Sequence, residues 1–281
     1  MDWKTVKKID MEYMQLQIKK RGRITPKIIG IDEISVRRGH KYNVIVSDIE
    51  KRIPIWFGGE DRSEKSIAEF YADLGKNRCR KLNIAAMDMW PAFETATKKH
   101  APQASILYDK FHIIRHLNFT LDKIRRIEYG KLSGDERKYV KGQKYNLLSR
   151  WKHLELPAKR SLKTLLSNNK KLYTAYVLKE TFEQLWDYAY EGSARKFFEK
   201  WKDMLKWQRL NPFKDFAKMI DRHWDGIAAY CKNSDKISLG FVEGFNNKIR
   251  VIMRRCYGLK DREYLRLKVL TCMLPELNYE N

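Results

Sequence analysis

The stretch IGIDEISVRRGHKY, residues 29–42, decides how the first part of the chain is interpreted. It begins as an apolar run of strand length, and the residues RRGH that follow have the polar, glycine-containing character of a hairpin turn. The run carries two adjacent acids, Asp32 and Glu33, in a chain that is otherwise strongly basic. This stretch therefore raises the question of why an apolar strand should contain a pair of carboxylates.

Working outward from this strand, the sequence predicts a meander followed by alternating helices and strands. The runs KYNVIVSDI and RIPIWFGG are strand-like and follow at spacings short enough for antiparallel hairpins. Next come a helix with apolar residues at Ile67, Phe70, Tyr71 and Leu74, the strand KLNIAAMD, the helix PAFETATKKH and the strand ASILYDK. The predicted order is βββαβαβ, followed by a helix.

Strand–helix–strand connections of this length join parallel neighbours through right-handed crossovers. We therefore expect a mixed α/β sheet, in which an antiparallel meander is continued by parallel strands. This order is typical of a ribonuclease H-like domain.

Residues 111–237 keep a helical period and predict an all-α block rich in aromatic residues. One apolar stripe is predicted along a single face: Leu162, Leu165, Leu166, Tyr173, Tyr176 and Val177. The tryptophans of the block are predicted to pack in its core: Trp151, Trp186, Trp201, Trp207 and Trp224.

The charge of the chain indicates a polyanionic partner. It has 58 Lys and Arg against 35 Asp and Glu, a formal net charge of +23, and counterion release then favours nucleic acid. No run of 18 or more apolar residues occurs, so we expect no membrane partner and a cytoplasmic, nucleoid-associated protein. The four cysteines are far apart, which argues against a zinc ribbon or a disulfide framework.

Three acids are candidates for a shared site: Asp32 in the first strand, Asp88 at the end of the fourth, and Glu243 in a helix after the all-α block. Two divalent cations about 3.5–4 Å apart need oxygen ligands that converge from adjacent strand ends and from elsewhere. Because side chains alternate along a strand, only one of Asp32 and Glu33 can point at such a site. The pattern alone leaves that choice nearly even, although Gly30 leaves room beside Asp32.

The motifs GIDEIS, AMDMWPAF, YDKFHIIRHLN and GFVEGFNNKIR, in this order, resemble the DDE transposases of the ISL3 family of bacterial insertion sequences. The leading TVKKIDMEYM resembles the linker ahead of their catalytic domain. The resemblance implies a ribonuclease H-like core interrupted by an α-helical insertion. It also implies a catalytic and metal-binding triad of Asp32, Asp88 and Glu243, which holds two Mg²⁺ ions, with Mn²⁺ as a substitute.

The expected domains are a leading linker helix at 1–25, the first part of the catalytic core at 26–132, the helical insertion at 133–237, and the C-terminal helical part of the core at 238–281. Members of the family usually carry an upstream zinc-binding and helix-turn-helix region, for which the sequence has no room before residue 26. We therefore expect cleavage by this chain to be weak and poorly sequence-selective.

Several other residues are candidates for supporting roles. Asp109 and His112 follow a parallel strand end, where open α/β sheets place ligands, and are expected to support the site. Asn246, Asn247, Lys248 and Arg250 are either solvated helix residues or DNA-binding residues. Trp90, beside Asp88, either stacks on a splayed base or fills the core, and we favour the core.

The resulting hypothesis is a DNA transposase that acts on double-stranded element ends and target DNA, as an oligomer in the synaptic complex. One alternative is a truncated or domesticated remnant that binds DNA without catalysis. Another is a nuclease or resolvase of the same fold without strand transfer, because a fold does not determine a function.

Overall fold

One mixed sheet organises the first part of the chain, with its strands in the order β3-β2-β1-β4-β5. The strands are β1 (Ile28–Arg37), β2 (Lys41–Asp48), β3 (Ile53–Gly58), β4 (Ile84–Met87) and β5 (Ser105–Tyr108). The pairs β1–β2 and β2–β3 are antiparallel, and the pairs β1–β4 and β4–β5 are parallel. The predicted ribonuclease H-like α/β order is therefore confirmed.

The structure is a computed structural model and describes residues 2–37, 41–232, 240–256, 259 and 261–277. Its helices are α1 (Trp3–Arg21), α2 (Glu64–Leu74), α3 (Lys76–Cys79), α4 (Pro91–His100), α5 (Lys110–Tyr129), α6 (Gly134–Gly142), α7 (Lys144–Leu148), α8 (Leu156–Asn168), α9 (Lys170–Phe182), α10 (Glu191–Asp203), α11 (Asn211–Arg222), α12 (Trp224–Lys232), α13 (Gly240–Arg255) and α14 (Arg262–Thr271). Short 3₁₀ helices occur at Trp151–His153 and Glu183–Asp187.

The chain divides into two compact units. The first is discontinuous and consists of Met1–Asp109 with Ile237–Asn281, whereas the second is Lys110–Lys236. The compact units thus separate after Asp109, while the predicted catalytic core extends to residue 132. The functional division that we predicted stays a prediction.

Local sequence signals determine where the helices next to the sheet begin and end. The Ser63 hydroxyl accepts a hydrogen bond of 3.2 Å from the backbone N–H of Ser66 and caps the start of α2. Gly75 ends α2 with a φ of 80°, a left-handed conformation that glycine adopts without strain. Pro91 occupies the first turn of α4, where its missing N–H is not needed.

The last two helices of the chain cover one face of the sheet. Ile34, Ile45 and Phe57 of the three antiparallel strands form a buried cluster with residues of α13 and α14. The helical members of this cluster are Phe245, Ile249, Leu265, Val269 and Leu270. Burial of this apolar surface brings α13, which carries Glu243, onto the same sheet as the two predicted aspartates.

The opposite face of the sheet is covered by α2, which packs on β2 and β3 and also against α4. The rings of Trp56 and Phe70 meet edge to face with their centroids 6.0 Å apart. Between the two helices, the Tyr71 and Thr97 hydroxyls form a buried hydrogen bond of 2.7 Å. The sheet is thus enclosed between two helical layers.

The leading helix α1 packs against α14 in the first unit. Asp10 accepts a hydrogen bond of 2.6 Å from the Tyr264 hydroxyl and forms a salt bridge of 2.6 Å with Lys268. Lys7 forms a second salt bridge with Asp261, the N-cap residue of α14. The segment predicted as a linker is therefore held to the last helix by polar contacts.

The described part of the second unit is helical, as predicted, and has an aromatic core. The Phe182 ring lies 5.0 Å from that of Trp201 and 4.9 Å from that of Phe216, both edge to face. The Trp201 indole N–H donates a hydrogen bond of 2.9 Å to the Leu178 carbonyl, which satisfies its buried donor.

Two expectations for this unit need correction. The predicted single stripe is divided between α8 and α9, because the Asn169 side chain caps α9 by accepting the Leu172 N–H at 2.9 Å. Tyr173 consequently points outward and is 54% exposed. Among the tryptophans, Trp186, Trp201 and Trp224 are buried as predicted, whereas Trp151 and Trp207 are exposed.

Across the described residues, the structure contains no helix whose length and apolar character would let it cross a membrane.

Candidate active site

Asp32 and Asp88 each lie two residues beyond the last residue pair of two adjacent parallel strands, β1 and β4. In the ladder between β1 and β4, Ile28 pairs with Ile84 and Gly30 with Ala86. Continuing this register by two residues sets Asp32 beside Asp88, just beyond the end of β4. Paired strands are about 4.8 Å apart, so this register brings both acids to one edge of the sheet.

The same register extends to a third acid. Met87 pairs with Tyr108 in the ladder between β4 and β5, and the Asp109 N–H donates a hydrogen bond of 2.9 Å to the Met87 carbonyl. Asp109 therefore continues the row that Asp32 and Asp88 begin. Asp88 and Asp109 directly follow the carboxyl ends of β4 and β5, where open α/β sheets place their ligands, whereas Asp32 lies within β1.

Hydrogen bonds hold both carboxylate oxygens of Asp32. Oδ1 accepts the backbone N–H of Glu33 at 2.7 Å, and Oδ2 accepts the side-chain amide Nδ2 of Asn246 at 2.5 Å. Asn246 is only 5% exposed, and its Oδ1 has no hydrogen-bond partner among the described residues. The Asp88 carboxylate is held in a comparable way, since its Oδ1 accepts the Met89 N–H at 2.6 Å.

Helix α13 approaches β1 closely because β1 has a glycine at the point of contact. A Cβ atom on Gly30 would lie 2.9 Å from Val242 Cγ2 and 2.7 Å from Ile49 Cδ1, both closer than real Cβ contacts. Gly30 and Asp32 share one face of the strand, and Val242 and Asn246 are one helical turn apart. The space that the missing side chain of Gly30 leaves beside Asp32 is therefore filled by Val242 of α13.

Glu33 points away from this contact. Its carboxylate forms a salt bridge of 2.9 Å with Arg62, whose guanidinium stacks 3.7 Å from the centre of the Tyr42 ring. Alternation along β1 places Glu33 on the face opposite Asp32. This arrangement supports Asp32, and not Glu33, as the acid that faces α13.

Trp90 contacts Arg62, and the prediction that Trp90 is buried in the core is wrong. The indole is 39% exposed, and its Nε1 donates a hydrogen bond of 2.8 Å to the Arg62 carbonyl. The guanidinium of Arg62 is 5.6 Å from the centre of the Trp90 ring. An aromatic side chain two residues after Asp88 thus remains accessible to solvent.

The helix α13 residues predicted to bind DNA have different surroundings. Asn247, Lys248 and Arg250 are exposed, whereas Asn246 is buried against Asp32 and presents little surface to DNA. Lys248 donates a hydrogen bond of 2.5 Å to the Cys272 carbonyl at the end of α14, where a cation interacts favourably with the helix dipole.

Burial raises the pKa of the Cys272 thiol to about 11.

Three of the predicted site residues have roles that the geometry of Asp32 and Asp88 does not test. Glu243 lies in α13, and its side chain is outside the described part of the structure. Asp109 ends the first unit and His112 belongs to α5 of the second. The metal-binding role of Glu243 and the supporting role of Asp109 and His112 stay predictions.

The chemistry of the donor set fits a hard divalent cation. Asp32 and Asp88 offer carboxylate oxygens, which Mg²⁺ and Mn²⁺ prefer over nitrogen or sulfur. Within the described residues no cluster of three or more metal-binding side chains occurs. The contact between Asn246 and Asp32 was not predicted from the sequence. The distances along the two elements are nevertheless similar, because four residues of helix (Val242 to Asn246) and two residues of strand (Gly30 to Asp32) each rise by about 6 Å.

The chain is similar to a protein-family profile and to individual curated proteins. A family profile described as a transposase, of the ISL3 class of DDE enzymes, matches residues 29–269. The transposase for insertion sequence element IS1001 of Bordetella parapertussis is 30% identical over 95% of this chain and 66% of its own length. The transposase for insertion sequence element IS1557 of Mycobacterium tuberculosis is 27% identical over 84% of this chain and 58% of its own length. The chain therefore spans less than two thirds of the length of these relatives.

Proposed function

The chain belongs to the ISL3 family of DDE transposases, and we propose that it catalyses the DNA cleavage and strand transfer that move an insertion sequence. The observation that supports this proposal is the parallel register of β1 and β4, in which Gly30 pairs with Ala86, two residues before Asp32 and Asp88. DDE transposases generally use divalent metal ions, and the two carboxylates are suitable ligands.

In this proposal Asp32, Asp88 and Glu243 hold two Mg²⁺ ions, for which Mn²⁺ can substitute. When bound, such cations activate the attacking hydroxyl and stabilise the leaving oxygen. The contribution of the protein is to keep the ligands in place. The hydrogen bonds from Glu33 N–H and Asn246 to Asp32 reduce the reorganisation that ion binding requires.

The reaction comprises two phosphoryl transfers. In the first, water attacks the phosphorus at the end of the element and the bond to the 3′ oxygen breaks, which leaves a 3′-hydroxyl. In the second, that hydroxyl attacks a target phosphodiester in line, so that one P–O bond forms as another breaks. No covalent link between protein and DNA is required.

The proposed partner is double-stranded DNA, both at the element ends and at the target. The net charge of +23 supports this proposal, as do the exposed positions of Asn247, Lys248 and Arg250 on α13. Assembly as an oligomer in the synaptic complex and a location with the nucleoid in the cytoplasm belong to the same proposal.

The test compares purified wild-type chain with two variants on end-labelled duplex DNA, with Mg²⁺ or Mn²⁺. We expect metal-dependent nicking or strand transfer by the wild type, and its loss in Asp88→Ala with DNA binding retained, because the basic surface supplies most of the affinity. Asp135→Ala, which removes an exposed acid of α6, is the matched control and should cleave like the wild type.

Two outcomes would contradict the proposal. Equal cleavage by the wild type and Asp88→Ala would show that the cleavage does not come from the proposed site, as with a contaminating nuclease. Binding without cleavage by the wild type, with either metal and several substrates, would favour a non-catalytic DNA-binding remnant.

A further inference from the structure

We propose that Asn246 is a positioning residue of the metal site. Its side chain orients the Asp32 carboxylate and fixes the position of α13 along the axis of β1. The inference rests on the proposed function, because it assumes that Asp32 binds a divalent cation. It assigns Asn246 a role different from the contact with DNA that its neighbours on α13 suggest.

The first argument is the hydrogen bonding of Asp32. A carboxylate at a strand end can rotate about its terminal torsion, which is broad and costs little energy to change. Here the Glu33 N–H holds Oδ1 at 2.7 Å and the Asn246 amide holds Oδ2 at 2.5 Å. With a donor on each oxygen, the plane of the carboxylate is set.

The second argument is the orientation of the Asn246 amide. The reverse orientation would bring the amide oxygen against Asp32 Oδ2 and oppose two acceptors, so the amide nitrogen must face the carboxylate. This leaves Asn246 Oδ1 buried and without a donor among the described residues. A buried acceptor without a partner is destabilising, so this amide oxygen is available to a donor that the bound metal site would supply.

The third argument is the match between helix and strand. Val242 contacts the position of Gly30, and Asn246 contacts Asp32. Four residues of helix rise about 6 Å, and two residues of strand rise about 6.6 Å, so the two contacts occur together only when α13 runs beside β1 in this register. Glu243 lies between Val242 and Asn246 in the same helix, so the two contacts together determine where its backbone lies relative to β1.

Hydrogen-bond partners of metal ligands have a measurable effect on ion binding. Their removal typically lowers metal affinity or activity by about 10- to 100-fold. We therefore expect replacement of Asn246 to weaken ion binding within this range while the fold is retained.

The experiment measures Mn²⁺ binding by electron paramagnetic resonance of the free ion, with wild type, Asn246→Leu and Asn246→Ser. Leucine has the branching and number of heavy atoms of asparagine but donates no hydrogen bond, and serine is polar but too short to reach Asp32. Both variants are expected to bind Mn²⁺ about 10- to 100-fold more weakly. Thermal unfolding without metal, followed by circular dichroism, checks that each variant is folded.

The matched control is Asn77→Leu, the same change at an exposed position of α3, which should keep the Mn²⁺ affinity of the wild type. DNA cleavage by the Asn246 variants should need a higher Mn²⁺ concentration for half-maximal rate and should recover in part at saturating Mn²⁺. A purely structural role would lower the unfolding temperature without this dependence on Mn²⁺.

The inference and the proposed function fail in different ways. Wild-type Mn²⁺ affinity in both folded Asn246 variants, in an assay where Asp88→Ala lowers the affinity, would overturn the positioning role and leave the proposed function intact. A wild-type chain that neither binds Mn²⁺ nor cleaves DNA would overturn the proposed function and the inference with it.

Discussion

Glu33 and Arg62 form a salt bridge of 2.9 Å on the side of β1 opposite to the hydrogen bond between Asp32 and Asn246. The two neighbouring acids therefore have different partners, and their substitution should have different consequences. We expect Asp32→Asn to lower metal-dependent cleavage by more than the roughly 100-fold typical of a residue that only supports a ligand. Glu33→Gln removes a partly exposed ion pair worth at most about 1 kcal/mol and should leave the initial rate of nicking within about fivefold.

The reverse result, a strong effect of Glu33→Gln with an active Asp32→Asn, would exchange the roles of the two acids. Both variants should unfold at temperatures within a few degrees of the wild type.

Gly30 gives a second prediction, because a larger residue at this position would collide with Val242 and Ile49. Gly30→Val should destabilise the chain by about 1–3 kcal/mol through overpacking. Val242→Ala in the same chain should recover part of that loss, since it removes one of the colliding side chains. Urea unfolding of the wild type, both single variants and the double variant measures this coupling.

Gly192→Val is the control, because no atom lies within 4 Å of a Cβ at Gly192. Additive effects of Gly30→Val and Val242→Ala would show that the two residues do not share a contact.

Trp90 is expected to stack on an unpaired base next to the cleaved strand, because its indole is exposed and its Nε1 is already bonded to Arg62. Stacking contributes about 1–3 kcal/mol per base. Trp90→Ala should therefore lower the affinity for DNA with splayed, single-stranded ends by about tenfold and affect fully paired duplex less.

Fluorescence anisotropy with both kinds of DNA measures the difference. Trp3→Ala, at an exposed tryptophan of α1, is the control. Equal losses on splayed and paired DNA would argue against stacking.

Salt should strongly weaken DNA binding by this chain. Basic side chains that neutralise phosphates release condensed counterions, and roughly 6–10 such contacts reduce affinity by about 10³- to 10⁵-fold between 50 and 200 mM salt. The same steep slope is expected for Asp88→Ala, because the acid serves the reaction and not the affinity. Titrations at several salt concentrations test this, and a flat dependence would contradict DNA binding through phosphate contacts of basic side chains.

The stability of the helical unit should fall at acidic pH through Asp122. Burial would raise the pKa of its carboxyl, but the hydrogen bonds and charges of Arg125 and Arg126 outweigh this and hold the pKa below its ordinary value. The ionised form is therefore favoured in the folded state, which adds stability above the unfolded pKa of about 3.9. That stability is lost as the pH falls through the lower, folded pKa.

Asp122→Asn leaves the guanidinium of Arg125 buried without a charged partner and should cost about 3–5 kcal/mol at neutral pH. The difference from the wild type should narrow as the pH falls below about 4, since both chains then lack the charge. Asp135→Asn, at an exposed salt bridge, should change the unfolding curve little at either pH. A constant difference between Asp122→Asn and the wild type across this pH range would contradict the assignment.

The fold was accessible from the sequence because its signals are local. Strand-length apolar runs, Ser63 as a helix cap and Gly75 as a helix end act within a few residues of themselves. Two predictions failed because of individual side chains. Asn169 caps α9 and so divides the apolar stripe that was predicted as continuous. Trp90 was predicted in the core, but its indole N–H is satisfied at the surface by the Arg62 carbonyl.

The candidate site was accessible only in part. Alternation places Asp32 and Glu33 on different faces of β1 but cannot say which face meets the final helices. That choice depends on contacts between Gly30 and Val242 and between Asp32 and Asn246, which join residues more than 200 positions apart. Such pairs leave no periodic signal in the sequence, since they arise from packing between elements.

The discontinuous first unit has a consequence for synthesis on the ribosome. Ile34, Ile45 and Phe57 emerge early, but their cover, α13 and α14, follows the whole helical unit. At about 5–20 residues per second the sheet waits on the order of ten seconds for these helices. During that time the nascent chain exposes an apolar face that is prone to aggregate or to recruit a chaperone, and a chain terminated before residue 240 would remain in that state permanently.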